Sequence, residues 1–149
     1  MKKILVLALL LLAFNAKSQT KDETEKWLQE KLFAFAYNAS TNVYQYYVKT
    51  VEVKDCNIIV SATYLNAGDN FQSVRNVIDI IPVTSVLTYL KDTDTYVFKG
   101  KIKRRYEKEF EEQSSSWFEL KNVPDDMLER IKKALGHYKK LCGAQDEPF

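Results

Sequence analysis

The spacing of apolar positions changes along this chain, and each change marks a new element. After Met1-Lys2-Lys3 comes an unbroken apolar run of eleven residues, Ile4 to Phe14, followed by Asn15-Ala16-Lys17-Ser18-Gln19. Trp27, Leu28, Leu32 and Phe35 then recur at helical intervals, and Thr20 precedes Glu23 by the three residues of a capping box. That spacing predicts an amphipathic helix from about Asp22 to Phe35. From Val43 onward β-branched and aromatic residues dominate. They predict strands over Val43–Lys54 and Ile58–Leu65, joined in a hairpin by Asp55-Cys56-Asn57. Asn66-Ala67-Gly68-Asp69-Asn70 reads as a loop, Val74–Ile81 and Val83–Leu90 as strands separated by Pro82, and Lys91-Asp92-Thr93-Asp94 as a turn.

Residues Tyr96 to Glu111 show the clearest period of two. One face carries Tyr96, Phe98, Ile102, Tyr106 and Phe110, interrupted by Gly100, Arg104 and Lys108. The other carries Lys99, Lys101, Lys103, Arg105, Glu107, Glu109 and Glu111. Such alternation sets one face on a core and the other in water. A last strand opens around Ser114-Ser115-Ser116 and holds Trp117, Phe118 and Leu120. Pro124-Asp125-Asp126 then starts a helix whose stripe is Leu128, Ile131, Leu135, Tyr138 and Cys142, with Lys139 and Lys140 in the last turn and Gly143 as its stop. The tail from Ala144 to Phe149 is expected to fray. The sum is an α+β fold: a bent or barrel-like antiparallel sheet of five to six strands, an N-terminal helix and a C-terminal closing helix packed on the sheet. A curved sheet wrapped on the N-terminal helix, as in cystatins, is the alternative packing.

The N-terminal pattern has the three parts of a secretory signal peptide: a short basic start, an apolar core, and small residues Ala16 and Ser18 at the −3 and −1 positions before Gln19. A spanning helix needs roughly 20 apolar residues, so the run is too short to serve as an anchor. No Cys follows it to carry a lipid. Residues 1–18 are therefore expected to leave, and residues 19–149 to form one globular domain, periplasmic or secreted, with no transmembrane span. The whole chain carries 22 Lys+Arg and 20 Asp+Glu. Loss of Lys2, Lys3 and Lys17 turns its net +2 into −1, which offers no global attraction for nucleic acid. Nine Tyr, eight Phe and two Trp against four Gly and three Pro describe a folded, strand-rich domain.

Cys56 and Cys142 make an even pair, and an oxidising compartment makes them disulfide candidates. Two separate buried thiols remain the alternative reading. One His and no C-x-x-C spacing give no metal or redox motif, and no cofactor motif occurs. His137 lies off the apolar stripe of its helix and reads as a solvated side chain. Lys99, Lys101, Lys103 and Arg105 form the sharpest charge feature. They are either a contact surface for an anionic group or, as the preferred reading, charges that protect an exposed edge strand. Asp92/Asp94, Glu107/Glu109/Glu111 and Asp125/Asp126 are acidic sets without the ligand density of a calcium loop. There is no nucleophile elbow and no phosphate loop.

The layout resembles small uncharacterised exported proteins of Bacteroidota-type bacteria. Carrying that resemblance are Lys21-Asp22-Glu23-Thr24-Glu25-Lys26-Trp27-Leu28, the Asp55-Cys56-Asn57 turn, and residues 131–142 (Ile-Lys-Lys-Ala-Leu-Gly-His-Tyr-Lys-Lys-Leu-Cys). The resemblance implies no activity. A meander closed by a C-terminal helix is also similar to the pleckstrin-homology-like superfold, an architectural likeness that brings no ligand.

A non-enzymatic binding module for a protein or envelope component is the expectation, with the strand at residues 96–111 as contact surface, by strand addition or side-chain contact. The alternative is a carrier of a small apolar ligand between sheet and helix, its cavity lined by the tyrosine-rich strand at residues 43–54. An enzyme would need His137 or paired acids to converge in a cleft. Export is checked by the intact mass of protein recovered from the envelope or medium of a producing bacterium. A mass beginning at Gln19 is expected, and retention of residues 1–18 would overturn the cleavage.

Overall fold

The computed structural model describes residues 19–69, 74–106 and 108–143, so the expected leader (residues 1–18) and tail (144–149) lie outside the described residues. Thr20 and Glu23 cap the first helix as their spacing predicts. The Glu23 amide donates to Thr20 Oγ1 at 3.2 Å, and the Thr20 amide donates to Glu23 Oε2 at 2.9 Å. Two otherwise orphaned N–H groups are thereby satisfied, and helix α1 runs from Lys21–Ala34. Its inward face buries Thr24, Leu28 and Leu32.

Seven strands follow: β1 (Ala39–Ser40), β2 (Tyr44–Lys54), β3 (Asn57–Asn66), β4 (Arg75–Pro82), β5 (Val86–Leu90), β6 (Thr95–Tyr106) and β7 (Glu109–Lys121); helix α2 spans Asp125–Leu141. Every pairing is antiparallel. The order is β1-β2-β3-β4-β6-β5, and β7 pairs with the other side of β6. β4 and β5 succeed one another along the same side of β6, with Val77–Ile80 opposite Lys103–Tyr106 and Val86–Leu90 opposite Thr95–Lys99. The far edge of β7 returns to the start of the sheet. Ala36 bridges Leu120, the Tyr37 amide donates to Glu119 O at 2.8 Å, and the Lys121 amide donates to Phe35 O at 3.0 Å. The α+β, barrel-like architecture is thus the expected one, with the two-residue β1 as an added strand.

Two expectations for residues 96–111 are corrected. They are not one strand but two antiparallel arms, with Tyr106 paired to Glu109. Residues 106–109 include no Gly, Asn or Pro, and both arms keep the alternation, so nothing in the pattern breaks. Nor is β6 an edge. It is paired along both sides, so Lys99, Lys101, Lys103 and Arg105 do not protect a free edge, and a partner strand cannot add there. The last strand accordingly opens at Glu109 rather than Ser114. Pro82 ends β4, and the following strand begins at Val86, three residues beyond its expected start at Val83.

The core lies between the helices and the concave sheet. Leu28 and Leu32 of α1 meet Val51, Val53, Ile58, Val60, Ile81, Phe98, Ile102, Phe118 and Leu120 of the sheet. Ile131 and Tyr138 of α2 join the same cluster. Each fully buried aliphatic or aromatic side chain here contributes about 1.5–3 kcal/mol over its exposed state. α1 lies against β2 and α2 packs on α1, so the helix laid directly on the sheet is the N-terminal one. Gly100, at φ +155°, sits beside the turn before β5. A Cβ there would come within 2.9 Å of Ser85 Oγ and 3.3 Å of its Cα, so any other residue would be strained and would push Ser85 aside.

Cys56 and Cys142 are bonded, with their Cα atoms 5.7 Å apart across 86 residues. Asp55 and Cys56 hold φ of +49° and +61°, the pair of left-handed residues that a two-residue hairpin demands. That conformation costs a non-glycine residue about 1–2 kcal/mol, and here it is held from two sides. Besides the disulfide, the Cys56 amide donates to Tyr138 Oη at 3.0 Å, and the Tyr138 hydroxyl donates to Glu25 Oε1 at 2.6 Å. One phenol therefore ties α2 to α1 and to the β2–β3 turn.

Reduction of the bridge, or Cys142→Ser, is expected to lower unfolding free energy by about 2–5 kcal/mol in urea titrations. Burial, then the bond to Glu25, raises the Tyr138 pKa. A raised folded value means stability is intact below the ordinary tyrosine pKa of about 10 and lost as pH rises through the folded value. Stability should fall above pH 10, and Tyr138→Phe should flatten that fall while costing about 1–3 kcal/mol at neutral pH for the Cys56 amide left unpaired.

Candidate functional site

At the end of β2 and β3 remote from the disulfide, the sheet's interior changes from aliphatic to aromatic. A cavity of about 270 Å³ opens there among Tyr37, Tyr44, Tyr46, Tyr64 and Trp117, with Ala39, Ser116 and Glu119 completing its wall. The topology assembles it from distant segments. Tyr44 and Tyr46 sit two residues apart on β2, and in the β2–β3 register Tyr46 faces Tyr64. The closing contact of β7 with residues 35–37 brings Tyr37 and Glu119 together. Irregular pairing of β6 with β7, between Val97 and Ile102, lets Ser116 and Trp117 both reach the cavity although they are adjacent.

The rings form a connected set. Tyr44 and Tyr64 stack at 6.0 Å and 21°, Tyr64 lies 5.1 Å from Trp117, and Tyr46 meets Trp117 edge-on at 6.4 Å and 88°. Tyr106 meets both Tyr64 and Trp117 edge-on. Offset and T-shaped contacts of this kind add about 0.5–1.5 kcal/mol each beyond burial and hold the rings rigid.

Beneath Trp117 is a buried ion pair. Asp79 and Arg104 are directly opposed on β4 and β6, and they are 0% and 6% exposed. Arg104 Nε donates to Asp79 Oδ1 at 2.7 Å, and its Nη2 donates to Asp79 Oδ2 at 3.0 Å and to Ser115 O at 3.2 Å. Asp79 Oδ2 also accepts the Trp117 amide at 2.9 Å, and the guanidinium lies 4.2 Å from the centre of the Trp117 ring. The pair thus fixes both the backbone and the ring of Trp117.

Two polar groups of the cup have no protein partner among the described residues. The Tyr46 ring is buried, while its hydroxyl makes no protein hydrogen bond and stays accessible through the cavity it lines. The Glu119 carboxylate makes no hydrogen bond and no ion pair. Burial, and after it the Asp79 charge, drives the Tyr46 pKa well above its ordinary value. Burial, then Glu119, raises that of Tyr44. Both phenols therefore remain neutral O–H donors, and among the described residues the one charged side chain lining the cup is acidic.

The residues singled out in the sequence fall elsewhere. Lys99, Lys101 and Lys103 are exposed on β6, Lys103 opposite Glu112, and Arg105 lies 5.2 Å over the Phe110 ring. They are not part of the cup. His137 is half-exposed beside α1, with its Nε2 3.1 Å from the Gln19 carbonyl oxygen. Asp94 takes the Tyr89 hydroxyl at 2.8 Å in its turn, and Asp125 and Asp126 occupy the first turn of α2. Among the described residues no group of three or more His, Cys, Asp or Glu is placed to hold a metal, and no helix is long and apolar enough to cross a membrane. Leu28, Leu32, Phe98 and Phe118 pack together in the core between helices and sheet. No protein-family model, curated protein or solved structure matches the chain.

The sequence pattern suggested a cavity between sheet and helix along residues 43–54, not this cup, and it missed Tyr37, Tyr64, Trp117, Glu119 and the ion pair. The signal for the pair was present: Asp79 is the one acid in Val77-Ile78-Asp79-Ile80-Ile81, and Arg104 interrupts the apolar face of its strand. Arg104→Ala should cost about 3–5 kcal/mol in chemical denaturation, because it leaves a buried carboxylate unpaired. The double variant Asp79→Leu/Arg104→Met should recover part of that, short by about 1–3 kcal/mol for the Trp117 amide.

Proposed function

We propose that this chain is an exported, non-enzymatic binding module for a protein or envelope component, and that the aromatic cup is where it grips that ligand. The observation that carries the reading is a ring-walled cavity into which the Tyr46 hydroxyl, without a protein partner, and the unpaired Glu119 carboxylate both open. An accessible hydroxyl in an aromatic-walled cavity is free to exchange water for a group of a ligand. Rigid Tyr and Trp rings supply contact area with little ordering entropy, the property that enriches them at recognition surfaces. Ligand pockets commonly span about 300–1,000 Å³, so a cavity just below that range suits one group of a ligand better than a long apolar chain. The Cys56–Cys142 bond suits an oxidising compartment and so supports export.

The test uses a benzophenone amino acid in place of Tyr44, which is 37% exposed at the cup's rim, or in place of Tyr89, 48% exposed on β5. Irradiated in the envelope of a producing bacterium, the Tyr44 variant should yield a defined cross-linked species and the Tyr89 variant should not. Equal labelling at both positions, or none at Tyr44, would sink the reading.

A further inference from the structure

Resting on the reading of the cup as the binding site, we propose that the group it takes is an ammonium carrying apolar substituents, a quaternary or fully alkylated amine. The first argument is charge. Glu119 is the only charged residue in the wall and has no partner among the described residues, while Asp79 and Arg104 below it neutralise one another. The Arg104 guanidinium is further occupied by Ser115 O and by the Trp117 ring, so it offers little to an incoming anion.

The second argument is the walls. Aromatic faces are negative and attract a cation held against them, most strongly where it has shed water. This chain already shows the preference: Lys121 Nζ lies 4.6 Å over the Tyr37 ring, and Arg104 lies over Trp117. The third argument is the shortage of acceptors. A primary ammonium needs acceptors for three N–H groups, and a metal ion needs several oxygens. The cup offers one carboxylate among neutral phenols, and Ser116 Oγ is engaged with Phe98 N and Phe118 O. An alkylated ammonium has no N–H to satisfy, sheds its hydration more readily, and presents methyl groups to the rings. A neutral sugar would use the hydroxyls but leave the Glu119 charge uncompensated. Tyr46 then has a natural role as donor to an oxygen on the ligand's remaining part.

The test is isothermal titration with choline and with its uncharged isostere 3,3-dimethylbutan-1-ol, which differ in charge at nearly equal shape. Choline is expected to bind at least tenfold more tightly than the alcohol, and methyl glucoside not to compete. Glu119→Gln should bring choline down to the level of the alcohol, with an unchanged urea midpoint to show that the variant folds. Lys121→Met, which removes the cation over the Tyr37 ring, should tighten choline several-fold. Co-sedimentation with phosphatidylcholine vesicles, against phosphatidylglycerol vesicles, tells a lipid headgroup from a free amine as the source. Equal affinity for choline and the alcohol, indifference to Glu119→Gln, or competition by the glucoside would overturn the proposal. If choline fails while the Tyr44 cross-link persists, the cation assignment falls and the binding reading stands. If the cross-link also fails, both fall.

Discussion

Burying Asp79 and Arg104 in the middle of the β4–β6 ladder removes two ions from water, and an apolar pair could occupy the same space at equal or better stability. What an apolar pair could not do is reach across to β7. Asp79 Oδ2 takes the Trp117 amide and Arg104 takes Ser115 O, so the ion pair ties a third strand at the place where its ladder with β6 is irregular. The irregularity puts Trp117 against Tyr46, Tyr64 and Tyr106, and the tryptophan held there joins these rings into one wall. Backbone geometry, ring packing and the shape of the cavity thus follow from one buried charge pair.

The two ends of the sheet serve different ends. At one, the disulfide, the Tyr138 hydroxyl and the aliphatic core fasten both helices to the β2–β3 turn. At the other, Tyr44, Tyr46 and Tyr64 replace the aliphatics and leave a space. Stability is concentrated where the molecule is closed, which leaves the other end able to keep an unpartnered hydroxyl and an unpaired carboxylate.

Both helices were legible because their signals are local. The Thr20–Glu23 box lies within four residues, and the Leu128/Ile131/Tyr138 stripe within three turns. Strand existence was legible for the same reason, whereas strand neighbours were not. The period of two runs without a break from Tyr96 to Glu111, so β6 and the start of β7 read as one strand and β6 as an edge. Cys56 and Cys142 could be named as candidates from parity and compartment, but their approach to 5.7 Å needed the fold. The cup was least legible of all. Tyr37, Tyr64 and Glu119 carry no motif, and they meet only because residues 35–37 pair with β7, a contact between segments more than eighty residues apart. Asp79 and Arg104 were visible as charges out of place in apolar strands, which is the mark a buried pair leaves in sequence.

The disulfide also imposes an order on assembly. Cys56 sits at the tip of the first long hairpin, whereas Cys142 follows every strand and closes the second helix. A chain made or exported from its N-terminus presents Cys56 alone through the emergence of the entire sheet, and its partner arrives last. Oxidation that comes early finds only foreign thiols, and oxidation that comes late finds two sulfurs already aligned by the docked helix and the Tyr138 hydrogen bond. The bond is therefore a seal on a finished fold, and the waiting time of one cysteine becomes the interval in which mispairing between molecules must be prevented.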